Sequence, residues 1–316
     1  MFEKKLETTR FRRQYLEIYK KIDSMLVNDQ YEMHHIGSTS RGSEWGTAQL
    51  DILLVVNECN ILQIERKILE NGGKLDRIIS SDCKQFQLDA FQIFLLDESK
   101  EIFEHFMFVA GILRSLKEVQ DEWSEFKKKI SLTQSDDIRD YQLHKTDWLT
   151  KLGNTIEEYR KNVVAVIANN NGKILFGERD QAKIEKSWQL PQGGVEVNEN
   201  WEEALAREIK EETGIQNFEI IRVSLFYYCY RWPKNIFSGE NEKNKYIGQR
   251  QKVFLVKISD DEMNNIQSSE ELSRFKWASF DKMVDQVVAF KQQVYKLVSK
   301  DLGPLDSNSY ELGGSP

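Results

Sequence analysis

Little in this chain invites redox or covalent chemistry. Its 316 residues hold three cysteines (Cys59, Cys83 and Cys229), none in CxxC spacing. An odd, scattered set excludes a disulfide framework and a thiolate zinc ribbon, and predicts reduced thiols. Four histidines leave little from which to build a Ser-His-Asp or Cys-His relay. No apolar run approaches the roughly 20 residues of a membrane span. The first residues, MFEKKLETTRFRRQYL, lack the apolar core of a signal peptide. A cytoplasmic location and no membrane partner are therefore expected. Positive charge is also short: 44 Lys and Arg against 51 Asp and Glu give a net charge of −7. That excludes a general DNA or RNA coat, which needs a broad basic surface, but leaves room for a local patch reading one strand end. With four prolines and 40% apolar residues, the chain reads as folded along most of its length, and it suffices for two ordinary domains.

The apolar periodicities divide it near residue 151. Before that point we expect a helix over 3–28, a strand YEMHHI and a Gly/Ser-rich loop at 37–46. Next come a strand over 49–56, a helix near 61–71, strands DAFQIFLL and EIFEHFMFV, and helices near 109–130 and 137–151. A polar connector spans 152–160. The second domain, 161–300, opens with a hairpin, VVAVIAN and ILFGER. It continues with strands over 217–230, 250–258 and 274–279 and a closing helix over 280–300. Residues 301–316 carry no pattern and read as a flexible tail.

The most specific segment is GGVEVNENWEEALAREIKEETGI, residues 193–215. Its Ala, Leu, Glu, Arg and Lys content predicts a helix from about Trp201 to Thr213, ended by Gly214 in a left-handed turn. Glu208, Glu211 and Glu212 stand at i, i+3 and i+4, so their carboxylates share one helix face. Such crowding calls for a cation, and hard oxygen ligands favour Mg²⁺ or Mn²⁺. Glu199 is spaced to pair with Arg207, which then organises the segment rather than reacting. Gly193 permits a tight preceding loop.

These fixed positions resemble the Nudix box in full, which implies hydrolysis of a diphosphate linked to another moiety. SWQLPQGG, YCYRWP, GQRQK and VVAFKQQVYK extend the likeness across roughly 160–300, toward bacterial RNA pyrophosphohydrolases and their dinucleoside polyphosphate-hydrolysing relatives. The resemblance implies an α/β/α sandwich, with catalysis and metal binding by Glu208, Glu211, Glu212 and Glu271. Arg160, Lys186, Gln192, Arg250, Gln251, Lys252, Phe290 and Lys291 fall at its substrate-binding positions. Alternation along a strand puts Arg250 and Lys252 on one side. Phe290 and Lys291 would grip a base and the adjoining phosphate. The expected substrate is an RNA 5′ end; a dinucleoside polyphosphate or free nucleotide is the alternative. Val253 and Phe275 stand where the family usually carries Trp.

Residues 1–151 resemble the GrpB-type branch of the nucleotidyltransferase superfamily through HHIGSTS at 34–40, Asp51 and the strand DILLVV. The resemblance implies a mixed sheet with helices. Gly37, Ser38, Ser40, Asp51 and a further acid, Glu104 or Asp89, are its candidate residues. Leu53 leaves no DxD pair, so transferase activity, a nucleotide-binding regulatory module and a merely structural domain all remain open. His34, His35 and His105 read as satisfied polar residues rather than a metal cluster.

Overall fold

The computed structural model describes residues 2–4, 8–37, 45–47, 50–99, 101–133, 138–179, 188–233 and 245–302. Ser38, Ser40, Lys186 and residues 303–316 lie outside them. The chain forms two compact units, Met1–Ala110 with Glu118–Asn154, and Gly111–Lys117 with Thr155–Leu312. Among the described residues, no helix is long and apolar enough to cross a membrane.

The first unit starts with β1 (Phe2–Lys4), α1 (Thr8–Met25), β2 (Glu32–Ile36), β3 (Trp45–Thr47) and β4 (Leu50–Val56). It continues with α2 (Ile61–Glu70), β5 (Lys74–Ser80), β6 (Cys83–Leu88) and β7 (Phe91–Asp97). Three helices follow: α3 (Glu101–Ser115), whose last turns fall in the second unit, α4 (Lys117–Thr133) and α5 (Ile138–Gly153). The main sheet has the order β2-β4-β7-β6-β5, with β4 and β7 parallel. Every residue of β4 is buried, as a central strand covered on both faces requires. Leu50, Ile52, Leu54 and Val56 face Phe11, Ile22 and Leu26 of α1 and its turn and Ile64 and Ile68 of α2, so Asp51 points to the opposite face.

Two expectations change here. EIFEHFMFV is not a strand but the start of α3, and Glu104 therefore sits in a first helical turn. Its aromatic and branched residues favour strand locally, yet Phe108, Ile112 and Leu116 recur every four residues and are buried. Conversely, KLDRIIS and CKQFQL form β5 and β6, which the charge-rich pattern concealed; β5 is an edge strand with no fully buried residue.

The second unit adds β8 (Tyr159–Ala168), β9 (Ile174–Arg179), β10 (Trp188–Gln189), β11 (Gln192–Gly194), α6 (Trp201–Thr213), β12 (Glu219–Val223) and β13 (Tyr228–Arg231). It ends with β14 (Gly248–Lys257), α7 (Asp260–Met263), β15 (Leu272–Ala278), α8 (Phe280–Met283) and α9 (Ala289–Leu302). The sheet runs β10-β9-β8-β14-β12, with β11 also on β8, β13 on β14 and β15 on β9. β8 and β14 pair in parallel over ten residues. Strand alternation sends Val163, Ala165, Ile167, Phe254 and Val256 to Ala204, Leu205 and Ile209 of α6. Val164, Val166, Val253 and Leu255 go instead to Val294, Tyr295 and Val298 of α9. Helices thus cover both faces of the sheet. The expected helix over 280–300 is interrupted: α8 passes through one 3₁₀ turn, Val284–Gln286, before α9 begins.

Candidate active site

α6 is set by its two ends. Asn200 accepts a hydrogen bond from Glu203 N at 2.8 Å, and the Glu203 carboxylate accepts from Asn200 N at 2.9 Å, a reciprocal capping box. At the other end Gly214 adopts φ 78°, and its N–H reaches Lys210 O. With Ala204, Leu205 and Ile209 locked into the core, the next face of the helix is held against β11. A Cβ on Gly193 would lie 1.8 Å from the Glu208 carboxyl group, so only glycine admits Glu208 there.

Arg207 ties the segment together. It donates to both oxygens of Glu199, at 2.8 and 2.9 Å, to Gly194 O at 2.7 Å, to Glu208 at 2.8 Å and to Glu211 at 3.1 Å. The fork-shaped guanidinium matches Glu199 in two parallel bonds. Those bonds hold the Glu199 carboxyl below the usual carboxylate range.

Glu212 is almost wholly buried. Its Oε2 accepts Gln192 N at 2.7 Å, whereas Oε1 is sealed from solvent and has no hydrogen-bond partner. Burial first, then the charges of Glu208 and Glu271, push its pKa up to about 8. Burial also raises Glu208, with Glu211 and Glu271 adding to the effect. Glu271 therefore shares an electrostatic environment with Glu208 and Glu212, and its carboxylate meets Arg179 at 3.5 Å. Lys291 of α9 is also buried and drops to about 7 through desolvation and the nearby Arg179 charge, while Glu212 and Glu271 oppose the drop.

A chain of amides crosses this region. Gln251 donates to Asn162 at 2.7 Å and to Gln192 at 2.9 Å; Gln192 donates to Gln189 at 3.2 Å, and Lys291 donates to the same Gln189 oxygen at 3.3 Å. The structure thus brings Gln192, Gln251 and Lys291 together with Glu212. Phe290 packs its ring 5.4 Å from Tyr230, partly within the α9-side core. Arg160 lies so close to Gly194 that a Cβ there would meet its guanidinium at 2.1 Å.

Arg250 and Lys252 do not join this group. Alternation along β14 turns them away from Gln251. Arg250 is fully buried, donating to Ile156 O and to Glu157 at 3.1 Å each, and Lys252 lies 5.7 Å from the Tyr227 ring. Asn162, Arg179 and Gln189 are the members of the cluster that sequence reading missed. For Gln189 a signal was available, since it stands three residues before Gln192 in WQLPQGG, immediately ahead of the box, whereas Asn162 follows Arg160 and Lys161 far from it.

The residues suit a hard divalent cation: glutamate oxygens crowd together, and the buried Glu212 Oε1 has a lone pair that nothing satisfies. Among the described residues, no three acidic, His or Cys side chains already close on one point at ligand distance. Glu208 and Glu211 are instead both drawn onto Arg207.

In the first unit, Gly37 adopts φ 79°, and a Cβ there would lie 2.3 Å from the Asp51 carboxylate. Asp51 is buried, which raises its pKa against the pull of Lys145, 3.9 Å away. Glu104 is half-buried on α3. Asp89 is an exposed turn residue paired with Lys21. His34 contacts Glu32, His35 stacks on Tyr15 and His105 bonds Glu101 O, so the three have separate partners.

Residues 158–298 match the NUDIX domain family, and residues 6–154 match the GrpB protein family. The RNA pyrophosphohydrolase of Haemophilus influenzae (strain PittEE) is 39% identical over 152 residues, covering 46% of this chain and 76% of that protein. The RNA pyrophosphohydrolase of Pasteurella multocida (strain Pm70) is 39% identical over 148 residues, 45% of this chain and 73% of its own. A solved structure of conserved protein GrpB from Enterococcus faecalis aligns with a TM-score of 0.41 and 18% identity, over 49% of this chain and 95% of its own.

Proposed function

Because the chain belongs to the Nudix family and is a hydrolase of pyrophosphate bonds, we propose that its second unit removes diphosphate or phosphate from the 5′ end of triphosphorylated or diphosphorylated RNA. The product is a 5′-monophosphate. The observation that carries this reading is that the buried Glu212 accepts from Gln192 N on the same β11 segment against which Glu208 packs at Gly193, within a region 39% identical to RNA pyrophosphohydrolases.

In this reading Glu208, Glu211, Glu212 and Glu271 hold Mg²⁺ or Mn²⁺. When bound, the cation polarises phosphoryl oxygens and makes water acidic enough to attack, which is worth several kcal/mol of barrier. The chain's own residues do the rest. Glu212 or Glu271 takes the proton of the attacking water. A water oxygen–phosphorus bond forms as a phosphoanhydride P–O bond breaks, and the electrons leave on the departing phosphate. Arg207 keeps Glu208 and Glu211 in place. Lys291, with Gln192 and Gln251, orients the phosphate chain, and Phe290 stacks on the base.

The test is incubation of purified protein and Mg²⁺ with 5′-triphosphorylated RNA. The reading expects monophosphorylated RNA, whereas an RNA unchanged after hours ends it. Competition with diadenosine tetraphosphate then ranks the substrates by kcat/KM, and preference for the dinucleotide would transfer the assignment to that smaller class.

For the first unit we propose a nucleotide-binding module around Gly37 and Asp51. An Asp51→Ala chain with altered hydrolysis kinetics would indicate control in cis. Lost nucleotidyl incorporation with intact hydrolysis would instead make the module a transferase.

A further inference from the structure

Gln189 has no role so far, yet its orientation is dictated by its neighbours. In its protonated form, Lys291 is an ammonium, which donates and never accepts. The Gln189 atom 3.3 Å from it must therefore be the amide oxygen. The same oxygen receives Gln192 Nε2 at 3.2 Å, so the Gln192 oxygen is turned toward Gln251 Nε2 at 2.9 Å. Gln251 in turn uses that nitrogen for Asn162 Oδ1 at 2.7 Å as well. Each amide fixes the next, and the sense of the whole row follows from the single ammonium at its end.

Gln189 Oε1 then has both lone pairs engaged, while its two amide N–H groups have no partner among the described residues. The nitrogen is reachable: the sealed, unpartnered polar atoms among the described residues are Gln14 Oε1, Glu212 Oε1 and Arg250 Nε. Gln189 itself is 6% exposed. A largely buried primary amide with two unmade donors is costly, and an acceptor supplied from outside relieves that cost. Its neighbours identify the acceptor. Lys291 abuts it, and the charges of Arg179, Glu212 and Glu271 all reach Lys291, so once a divalent cation offsets the glutamates an anionic oxygen is favoured over a neutral carbonyl.

We propose that Gln189 is a substrate-binding residue that donates a hydrogen bond to a phosphate oxygen alongside Lys291, with Asn162 and Gln251 as positioning residues that hold the row in register. This deepens the phosphoanhydride-hydrolase reading and rests on it.

Two variants separate the two ends of the amide. Gln189→Glu keeps acceptors for Lys291 and Gln192 but has no donor, whereas Gln189→Met is uncharged and has neither. Calorimetric titration of the Mg²⁺-loaded full chain with inorganic pyrophosphate, together with KM and kcat on triphosphorylated RNA, reads the donor. Thermal unfolding reads the acceptor. Both variants should weaken pyrophosphate binding and raise KM by about tenfold to a hundredfold, the range of hydrogen bonds to charged groups. Only Gln189→Met should also unfold at a lower temperature. Pyrophosphate binding by Gln189→Met within twofold of the unsubstituted chain overturns the assignment, because a loss confined to Gln189→Glu would report added charge alone. If the unsubstituted chain binds pyrophosphate but hydrolyses neither RNA nor dinucleotide, the hydrolase reading fails and the Gln189 contact is still judged on binding. If it binds no pyrophosphate at all, both fall.

Discussion

A side chain at Gly193 would compete with Glu208 for the same space, and that crowding separates stability from activity. A methyl at Gly193 would lie 1.8 Å from the Glu208 carboxyl group, the far end of a flexible side chain that can swing aside at little cost. Gly193→Ala should therefore melt close to the unsubstituted chain yet lose roughly 10²-fold in kcat, as displacement of a catalytic group by about 1 Å does. Equal losses of both would show that the glycine serves the fold alone. His35 makes a different kind of prediction. Burial lowers its pKa to about 4, against an ordinary value near 6.5. As pH falls from about 6.5 to 4, the unfolded chain takes up a proton that the native imidazole refuses. Stability of the first unit drops through that window and levels off below it. At about 1.4 kcal/mol for each tenfold loss of proton affinity, the stability lost is at most about 3.5 kcal/mol. His35→Phe preserves the stack on Tyr15 and should flatten the dependence in urea titrations at pH 7 and 4.5. An unchanged pH slope would assign the effect to another group.

α6 was the most legible element because every level of its sequence agrees: cap, helix-forming interior, apolar stripe and terminal glycine. Asn200→Ala removes one half of the capping box and should cost the second unit about 1 kcal/mol, with kcat nearly unchanged because the glutamates stand two turns further on. A large fall in kcat without a change in melting would refute the separation. Elements that sequence reading misplaced had conflicting levels. α3 begins with EIFEHFMFV, where aromatic and branched residues mimic a strand until Ile112 and Leu116 reveal the longer period. β5 has charged residues on an exposed edge and no buried stripe to announce it. The site divides the same way. The carboxylates are spaced by one helix and were readable from it. The row Asn162–Gln251–Gln192–Gln189–Lys291 joins β8, β14, β11, β10 and α9, and no spacing along the chain encodes such contacts. Arg250 illustrates the limit: alternation sets it beside Lys252 on the α6 side of β14, but its capture by Ile156 O and Glu157 is a contact that no spacing along the chain encodes.

At the scale of the molecule, the division into units does not follow the chain strictly, because Gly111–Lys117 belongs with the second unit. Within that unit Arg114 pairs with Asp301 at 2.5 Å, Tyr228 donates to the same carboxylate at 2.7 Å, and Cys229 N donates to Ser115 Oγ at 3.2 Å. A chain truncated to begin at Thr155 loses these partners. It should unfold on the order of 1–3 kcal/mol more easily than the second unit of the full chain, and Arg114→Met in the full chain should reproduce part of the loss. Identical urea midpoints would show the segment to be dispensable.

The account depends on water attacking a phosphoanhydride at the glutamate cluster of α6. Its most direct test is hydrolysis of 5′-triphosphorylated RNA in ¹⁸O-labelled water with Mg²⁺, reading the products by mass spectrometry for the full chain and for Glu212→Gln. The account predicts monophosphorylated RNA with one ¹⁸O incorporated into the phosphate products for each anhydride bond broken, and a rate lost in Glu212→Gln while the fold persists. Undiminished turnover in Glu212→Gln, or products without the label, would contradict it.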